Sequence, residues 1–185
     1  MSASPLVAVT PNDVLAFWRA AGPGRWFRKD EAFDREFRER FLAAHEAALR
    51  GELDHWAQDA PGALALLILL DQFPRNAFRG TPRMFEGDAK ARAVARRALQ
   101  AGLDAQVEAD LRYFCYLPFM HSEQLPDQDL SVELAGKLGD DSLRYAIIHR
   151  EIIQRFGRFP HRNAVLGRTT TPEEQRFLDD GGFSG

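Results

Sequence analysis

The chain has 185 residues and a net charge of −3, with 45% hydrophobic and 28% charged residues. That composition is typical of a globular domain and excludes a disordered chain. Its longest uninterrupted apolar run, Ala63 to Leu70, is too short for a membrane span of about eighteen or more residues. The single cysteine, Cys115, excludes an internal disulfide and a multi-cysteine zinc site. Together with an N-terminus that does not resemble a signal peptide, these features predict one cytoplasmic domain over residues 1–185, with no membrane partner.

Helical patterns run through the chain, and the alternation typical of strands is nearly lacking. Thr10-Pro11-Asn12-Asp13 predicts the start of the first helix, because threonine caps helices and proline suits their first turn. From Asp30 to Leu49, Phe33, Phe37 and Phe41 recur every four residues, which predicts an amphipathic helix. Two segments that are apolar on nearly all sides, 63–73 and 109–117, predict inner helices.

Further helices are predicted over Asp88 to Ala101 and over Leu143 to Phe156, each followed by a glycine that can end it. A last helix is predicted from Thr171, which precedes a proline and two glutamates.

Acidic residues dominate between 104 and 141, and arginines dominate between 144 and 168. Because the net charge is negative, we expect no nucleic-acid partner. Arginine suits bidentate contacts to carboxylate or phosphate, so the later stretch predicts anion contacts. Alternatively, its arginines pair with the acidic stretch or bond the last carbonyls of neighbouring helices.

Three prolines follow an apolar residue at or just beyond a predicted helix, in Phe73-Pro74, Leu117-Pro118 and Phe159-Pro160. Proline cannot continue the hydrogen-bond ladder and disfavours helix at the residue before it, so each proline predicts a helix end. The intervals are 44 and 42 residues, which fits one helix pair per repeat. The pattern predicts an all-α fold of stacked antiparallel helical hairpins that leave one set of turns on a common edge.

The three proline-marked turns carry the polar residues that we predict as a ligand-binding site. Their side chains could converge if the turns share an edge. The predicted site consists of Asp71, Gln72, Arg75 and Asn76 at the first turn, His121, Ser122 and Glu123 at the second, Arg158, His161, Arg162 and Asn163 at the third, and His149 on the helix before the third turn.

Two of these residues stand out against apolar surroundings. Asp71 follows eight apolar residues and needs a partner, most simply Arg75 or another arginine. Its role could be purely structural, in an Asp–Arg pair or as an acceptor of backbone N–H bonds from a neighbouring turn. His149 shares a helix face with Tyr145 and Ile152. It is either a satisfied core histidine or a group that transfers protons or binds a ligand.

Metal and nucleophile motifs do not occur. Three histidines and one glutamate of the predicted site, His121, His149, His161 and Glu123, lack the spacing of HExxH or of paired histidines at i and i+4, so we expect no metal and no cofactor. Ser122 does not lie in a GxSxG elbow, and the chain contains no Gly-rich phosphate loop.

Three functions remain open. In the first, the turns bind a small anionic molecule or a peptide carboxylate, with arginines on the anion and Asn76 and Asn163 orienting it. In the second, the chain is an acid–base or hydrolytic enzyme that uses His121 or His149 with a carboxylate of the turns.

In that second case Asp71 or Glu123 would orient the imidazole, and Arg158 or Arg162 would stabilise negative charge. In the third, the chain is a helical scaffold for protein partners, and the polar turns are structural. The sequence leaves the oligomeric state open.

Four blocks of the sequence carry a family resemblance: FWRAAGPGRWFRKDEAFDREFRERF (Phe17 to Phe41), LLDQFPRNAFRGT (Leu69 to Thr81), YLPFMHSE (Tyr116 to Glu123) and HREIIQRFGRFPHRNAVLGR (His149 to Arg168). They resemble the bacterial family called domain of unknown function 924, over nearly the whole chain. The resemblance implies an all-helical fold grouped with tetratricopeptide-like repeats. It implies no activity and no catalytic residues.

Overall fold

The structure, a computed structural model, describes residues 9–183. Every regular element in that range is helical, which confirms the predicted all-α class. Contacts divide the described chain into two compact units: unit 1 contains residues 9–79 and 83–108, and unit 2 contains residues 80–82 and 109–183. The single domain and the tetratricopeptide-like stacking stay predictions. None of the described helices is both long and apolar enough to cross a membrane.

Unit 1 is built from six α-helices. They are α1 (Pro11–Ala21), α2 (Pro23–Trp26), α3 (Glu31–Arg50), α4 (Ala60–Leu67), α5 (Phe73–Ala77) and α6 (Asp88–Gln100). The first begins as predicted, because Thr10 accepts from the main chain of Asp13 and Asp13 reaches back to Thr10. Such reciprocal capping satisfies two otherwise unpaired donors of the first turn.

The core of unit 1 follows the aromatic stripe of α3. The ring of Phe17 stacks on Phe33 and on Phe37, with 5.1 Å between centroids in each pair. Phe37 in turn meets Phe73 edge to face at 5.1 Å. These rings are almost completely buried, so the four-residue spacing read from the sequence corresponds to the buried face of the helix.

The first proline-marked turn does not end its helix, and this prediction is wrong. α4 continues through a π-helical turn (Ile68–Gln72) directly into α5, with Pro74 in the first turn of α5. The N–H of Phe73, which would bond Leu69 in an α-helix, donates to the carbonyl of Ile68. A wider turn of this kind accommodates a proline that would clash inside a regular helix.

Two neighbours cover the main chain at the π turn. Nδ1 of the fully buried His45 donates to the carbonyl of Leu69 at 2.8 Å. The backbone of Gly87 lies against the carbonyl of Leu70, so close that a Cβ on Gly87 would come within 2.0 Å of that oxygen. The buried carbonyls of Leu69 and Leu70 therefore contact His45 and Gly87, in keeping with the need of buried polar groups for partners.

Unit 2 contains α7 (Tyr113–Met120), α8 (Leu125–Gly136), α9 (Asp140–Phe156) and α10 (Pro172–Asp179), and α8 packs against both α7 and α9. Pro118 lies inside α7, so the second predicted helix end is also wrong. α9 ends at Gly157, in a left-handed conformation, and Phe159 before Pro160 is extended. The third turn thus does separate helices. α8 was not predicted, because the charges of its segment hide a weak apolar pattern.

The close approach at Gly87 gives a stability prediction. A Cβ at position 87 must push the main chain of Leu70 away, so we expect Gly87→Ala to lower the free energy of unfolding by about 3 kcal/mol. Urea denaturation measures it. Gly24→Ala is the matched control, since a Cβ at Gly24 would meet nothing within 4 Å. Equal stability of the two variants would contradict the packing described here.

Candidate functional site

At the first turn, Asp71 lies inside the π turn and is 1% exposed. Nη1 of Arg75 approaches its Oδ1 at 3.2 Å, which confirms the predicted partner, and Nε2 of Gln72 donates to its Oδ2 at 2.6 Å. The Arg75 guanidinium also holds Asp88 through two bonds of 2.8 and 3.1 Å. Burial lowers the pKa of Arg75, but the negative charges of Asp71 and Asp88 outweigh it and raise that pKa.

Asn76 completes the first turn and bonds to helix α3. Its Nδ2 donates to Oδ1 of Asp34 at 2.8 Å, and Arg79 holds the same carboxylate through bonds of 2.6 and 3.1 Å. All four predicted residues of the first turn therefore have partners within unit 1. This arrangement fits the structural interpretation of the first turn.

At the second turn, Ser122 closes the connection between α7 and α8. Its hydroxyl donates to Oδ2 of Asp127 at 2.7 Å and accepts from the N–H of Gln124 at 3.2 Å. Nε2 of Gln128 donates to the carbonyls of Met120 and Ser122 at 2.7 and 2.6 Å. These bonds satisfy the carbonyl of Met120, the last residue of α7, and give Ser122 a structural role.

Glu123 joins the second turn to the third. Its carboxylate accepts from the N–H of Phe159 at 2.8 Å and from both terminal nitrogens of Arg168 at 2.8 and 3.0 Å. Burial raises the pKa of Glu123, but the bonds from Arg168 and Phe159 outweigh it, and the pKa lies below its usual range. Two of the three predicted turns therefore meet in unit 2.

Glu174 of α10 organises the rest of the third turn. Nε and Nη2 of Arg158 donate to it at 2.6 and 2.9 Å, and Nδ2 of Asn163 donates to it at 3.1 Å. The bonds from Arg158 are the largest cause that lowers the pKa of Glu174 to about 2. Arg158 and Asn163 thus hold the loop onto α10. Arg158 therefore forms an ion pair, which resembles the predicted alternative to anion binding. Its partner Glu174 lies outside the acidic stretch of residues 104–141.

Three of the four remaining predicted residues of unit 2 surround the buried ring of Phe159. The Arg162 guanidinium carbon lies 4.5 Å from its centroid, and the rings of His149 and His161 each lie 5.6 Å from it. Nη2 of Arg162 also donates to the carbonyl of His121 at 2.9 Å. We call these four residues, His121, His149, His161 and Arg162, the histidine–arginine cluster.

The two histidines next to Phe159 are neutral at pH 7. Burial is the largest cause that lowers the pKa of His149 to about 4, and the charges of His121 and Arg162 add to it. Burial, then Arg162 and His149, lower the pKa of His161 to about 4. Nδ1 of His149 donates to the carbonyl of Tyr145 at 2.8 Å, which leaves the lone pair on Nε2.

Unit 1 also has a cleft that lies away from the predicted residues. A cleft of about 290 Å³ in unit 1 is lined by residues of α1, α2 and α3 and contains none of the predicted residues. Among residues 9–183, no three His, Cys, Asp or Glu side chains are placed to hold a metal ion.

The sequence analysis missed His45 and Phe183. His45 bonds Leu69 and, through Nε2, Glu86 at 2.9 Å. It could have been found, because it continues the spacing of Phe33, Phe37 and Phe41 by four more residues. The ring of Phe183 lies 4.5 Å from that of His149, and no sequence signal indicates that contact.

The first turn belongs to unit 1, and the second and third turns belong to unit 2. Convergence of all three turns stays a prediction, whereas the meeting of the second and third turns is observed through Glu123.

The neutral histidines predict that stability falls in acid. The unfolded chain binds protons near the ordinary pKa of 6.5, whereas folded His149 resists protonation down to about pH 4. Between those values the unfolded state holds more protons, so acid favours unfolding. Between pH 7 and pH 5 we expect a loss of about 2 kcal/mol from this one group.

Urea denaturation at pH 7 and pH 5 measures that loss. His149→Gln should make the drop in unfolding free energy smaller by about 2 kcal/mol. His55→Gln, which removes an exposed imidazole, should leave the drop unchanged. A variant at position 149 with the full drop of the unaltered protein would refute the assignment.

Comparison with known proteins gives the family. Residues 14–182 match the model of DUF924, described as a bacterial protein of unknown function. A solved structure of a protein of unknown function, ATU0120 from Agrobacterium tumefaciens, is 51% identical, with a TM-score of 0.91 over 92% of this chain and 97% of that chain. A search of the curated proteins found no match. The family match and the shared helical fold together show that the chain belongs to the bacterial family DUF924.

Proposed function

We propose that the histidine–arginine cluster of unit 2 binds a small anion, such as the carboxylate of an organic acid or of a peptide. The observation that carries the proposal is the arrangement around Phe159. The guanidinium of Arg162 and the imidazoles of His149 and His161 all contact that one ring. Cationic and imidazole nitrogens are thus concentrated in a small, largely buried volume.

The electrostatics of the cluster favour an anion. A guanidinium stays charged at all accessible pH values and offers a fork of N–H donors that fits a carboxylate. Arg162 is 7% exposed, and a charge out of contact with bulk water acts more strongly on a ligand. Because His121 and Arg162 already disfavour protonation of His149, an incoming negative charge would relieve that repulsion.

The other predicted arginines are less suitable. Arg158 is held in a bidentate pair by Glu174, and Arg168 is held by Glu123. An anion would compete with those carboxylates. Arg162 also interacts with Glu123, whose pKa it lowers, and it is preferred because it lies over the ring of Phe159 beside both imidazoles. Of the residues predicted to bind a ligand, we therefore assign only the histidine–arginine cluster to the proposed anion site.

The enzymatic alternative has weaker support. His149 is oriented by the carbonyl of Tyr145, not by Asp71 or Glu123, and Glu123 is engaged with Arg168. A histidine whose pKa is about 4 is a weak base at pH 7, where general bases work best with a pKa near 7. The scaffold alternative is supported by the first turn, whose polar residues are all bonded within unit 1.

A sulfate titration tests the proposal, because the charge of sulfate does not change between pH 5 and pH 7. We expect Arg162→Gln to weaken sulfate binding at least tenfold, or about 1.4 kcal/mol, as measured by NMR chemical-shift titration. Arg144→Gln is the matched control: it removes an arginine whose side chain is 66% exposed on α9. It should bind sulfate like the unaltered protein.

The sulfate affinity should also depend on pH, which the same titration measures at pH 5 and pH 7. Sulfate should bind more tightly at pH 5 than at pH 7, because the bound anion raises the pKa of His149 and His161 and draws protons onto them. If both arginine variants weaken sulfate equally, or if the affinity does not change with pH, the proposal is wrong. Circular dichroism of each variant separates loss of binding from loss of fold.

A further inference from the structure

The chain after α10 folds back onto the histidine–arginine cluster through two glycines. Gly181 has a φ of +81°, a conformation that favours glycine. The N–H of Gly182 donates to the carbonyl of Phe177 at 2.9 Å. A Cβ on Gly182 would lie 2.4 Å from that oxygen and 2.6 Å from the Phe177 ring. Both glycines are therefore required for the path that leads to Phe183.

That path places the ring of Phe183 against both neutral histidines. Its centroid lies 4.5 Å from the ring of His149 and 5.4 Å from the ring of His161, at interplanar angles of 59° and 75°. It also packs against the small apolar cluster of Ile152, Ile153 and Phe159. Phe159 is 0% exposed, whereas Phe183 is only half-buried.

Phe183 is therefore a half-buried ring at the edge of the site. Aromatic pairs of this geometry attract each other beyond the effect of the area that they bury. A half-buried ring can be displaced by a competitor that makes the same contacts and adds another. The imidazoles of His149 and His161 would contact a ligand's ring in the same way that they contact the ring of Phe183.

We propose that the ring of Phe183 occupies the position that an aromatic group of the ligand takes, so that the ligand is an aromatic carboxylate that displaces Phe183. The inference rests on the proposed function, since the carboxylate would bind Arg162 through charge-assisted hydrogen bonds. The ligand's ring would take the contacts with His149 and His161. Because Phe183 competes for that position, it weakens binding by the fraction of molecules in which it is seated.

Three probes separate the two parts of the ligand: benzoate has an anion and a ring, whereas acetate and sulfate have only an anion. We expect Phe183→Ala to bind benzoate at least tenfold more tightly than the unaltered protein does. Acetate and sulfate affinities should change less than twofold. Phe27→Ala is the matched control, because Phe27 is an exposed ring of unit 1 (62% exposed); it should bind all three probes like the unaltered protein.

The outcomes distinguish this inference from the proposed function. Suppose that sulfate binds through Arg162 but that Phe183→Ala does not raise the affinity for benzoate, or raises the affinity for acetate as much. The inference on Phe183 is then wrong, and the anion site stands. If neither sulfate nor benzoate binds any variant, both proposals are wrong.

A second measurement does not depend on the fold of a variant. In the unaltered protein, benzoate should abolish the NOE between the rings of Phe183 and His149, and sulfate should leave it. Persistence of that NOE at saturating benzoate would overturn the inference.

Discussion

The helical structure of unit 1 depends on Pro74, which has no main-chain N–H to donate. Pro74 follows a helix that is buried on all sides, so water cannot bond the carbonyls that a regular helix would leave open there. The helix widens into a π turn at Ile68–Gln72 and continues. His45 then reaches the carbonyl of Leu69, and Gly87 lies against that of Leu70. The register of α3 and the start of α6 both depend on this turn.

The same requirement explains why so many polar residues of the turns are structural. Asp71, buried in the π turn, shares Arg75 with Asp88. In unit 2, Glu123 and Glu174 each accept from an arginine and from a main-chain N–H. A buried carboxylate without such partners would cost several kcal/mol. The polar density at these turns therefore reflects, in large part, bonds that hold the turns in place.

The histidine–arginine cluster differs from these pairs in its charge. Around Phe159, one guanidinium and two imidazoles lie together with the carboxylate of Glu123, and burial together with Arg162 keeps His149 and His161 neutral at pH 7. A structural network usually pairs opposite charges, as Arg158 and Glu174 do. A cluster rich in guanidinium and imidazole nitrogens, beside the half-buried ring of Phe183, is better suited to receive an anion. For this reason the proposed site is placed there and not at the first turn.

The sequence by itself determined the helical class, the caps at Thr10 and Thr171, the buried stripe of α3 and the Asp71–Arg75 pair. All of these follow from interactions within four residues, which spacing reveals. It also indicated which residue types crowd the turns. It misplaced two helix ends, because whether a proline stops a helix depends on what can cover the open carbonyls. It could not show which arginine meets which carboxylate, since Arg168 and Glu123 are 45 residues apart. Only the tertiary structure decided those pairings, the neutral state of His149 and the contact of Phe183, because each depends on burial by segments distant in the chain.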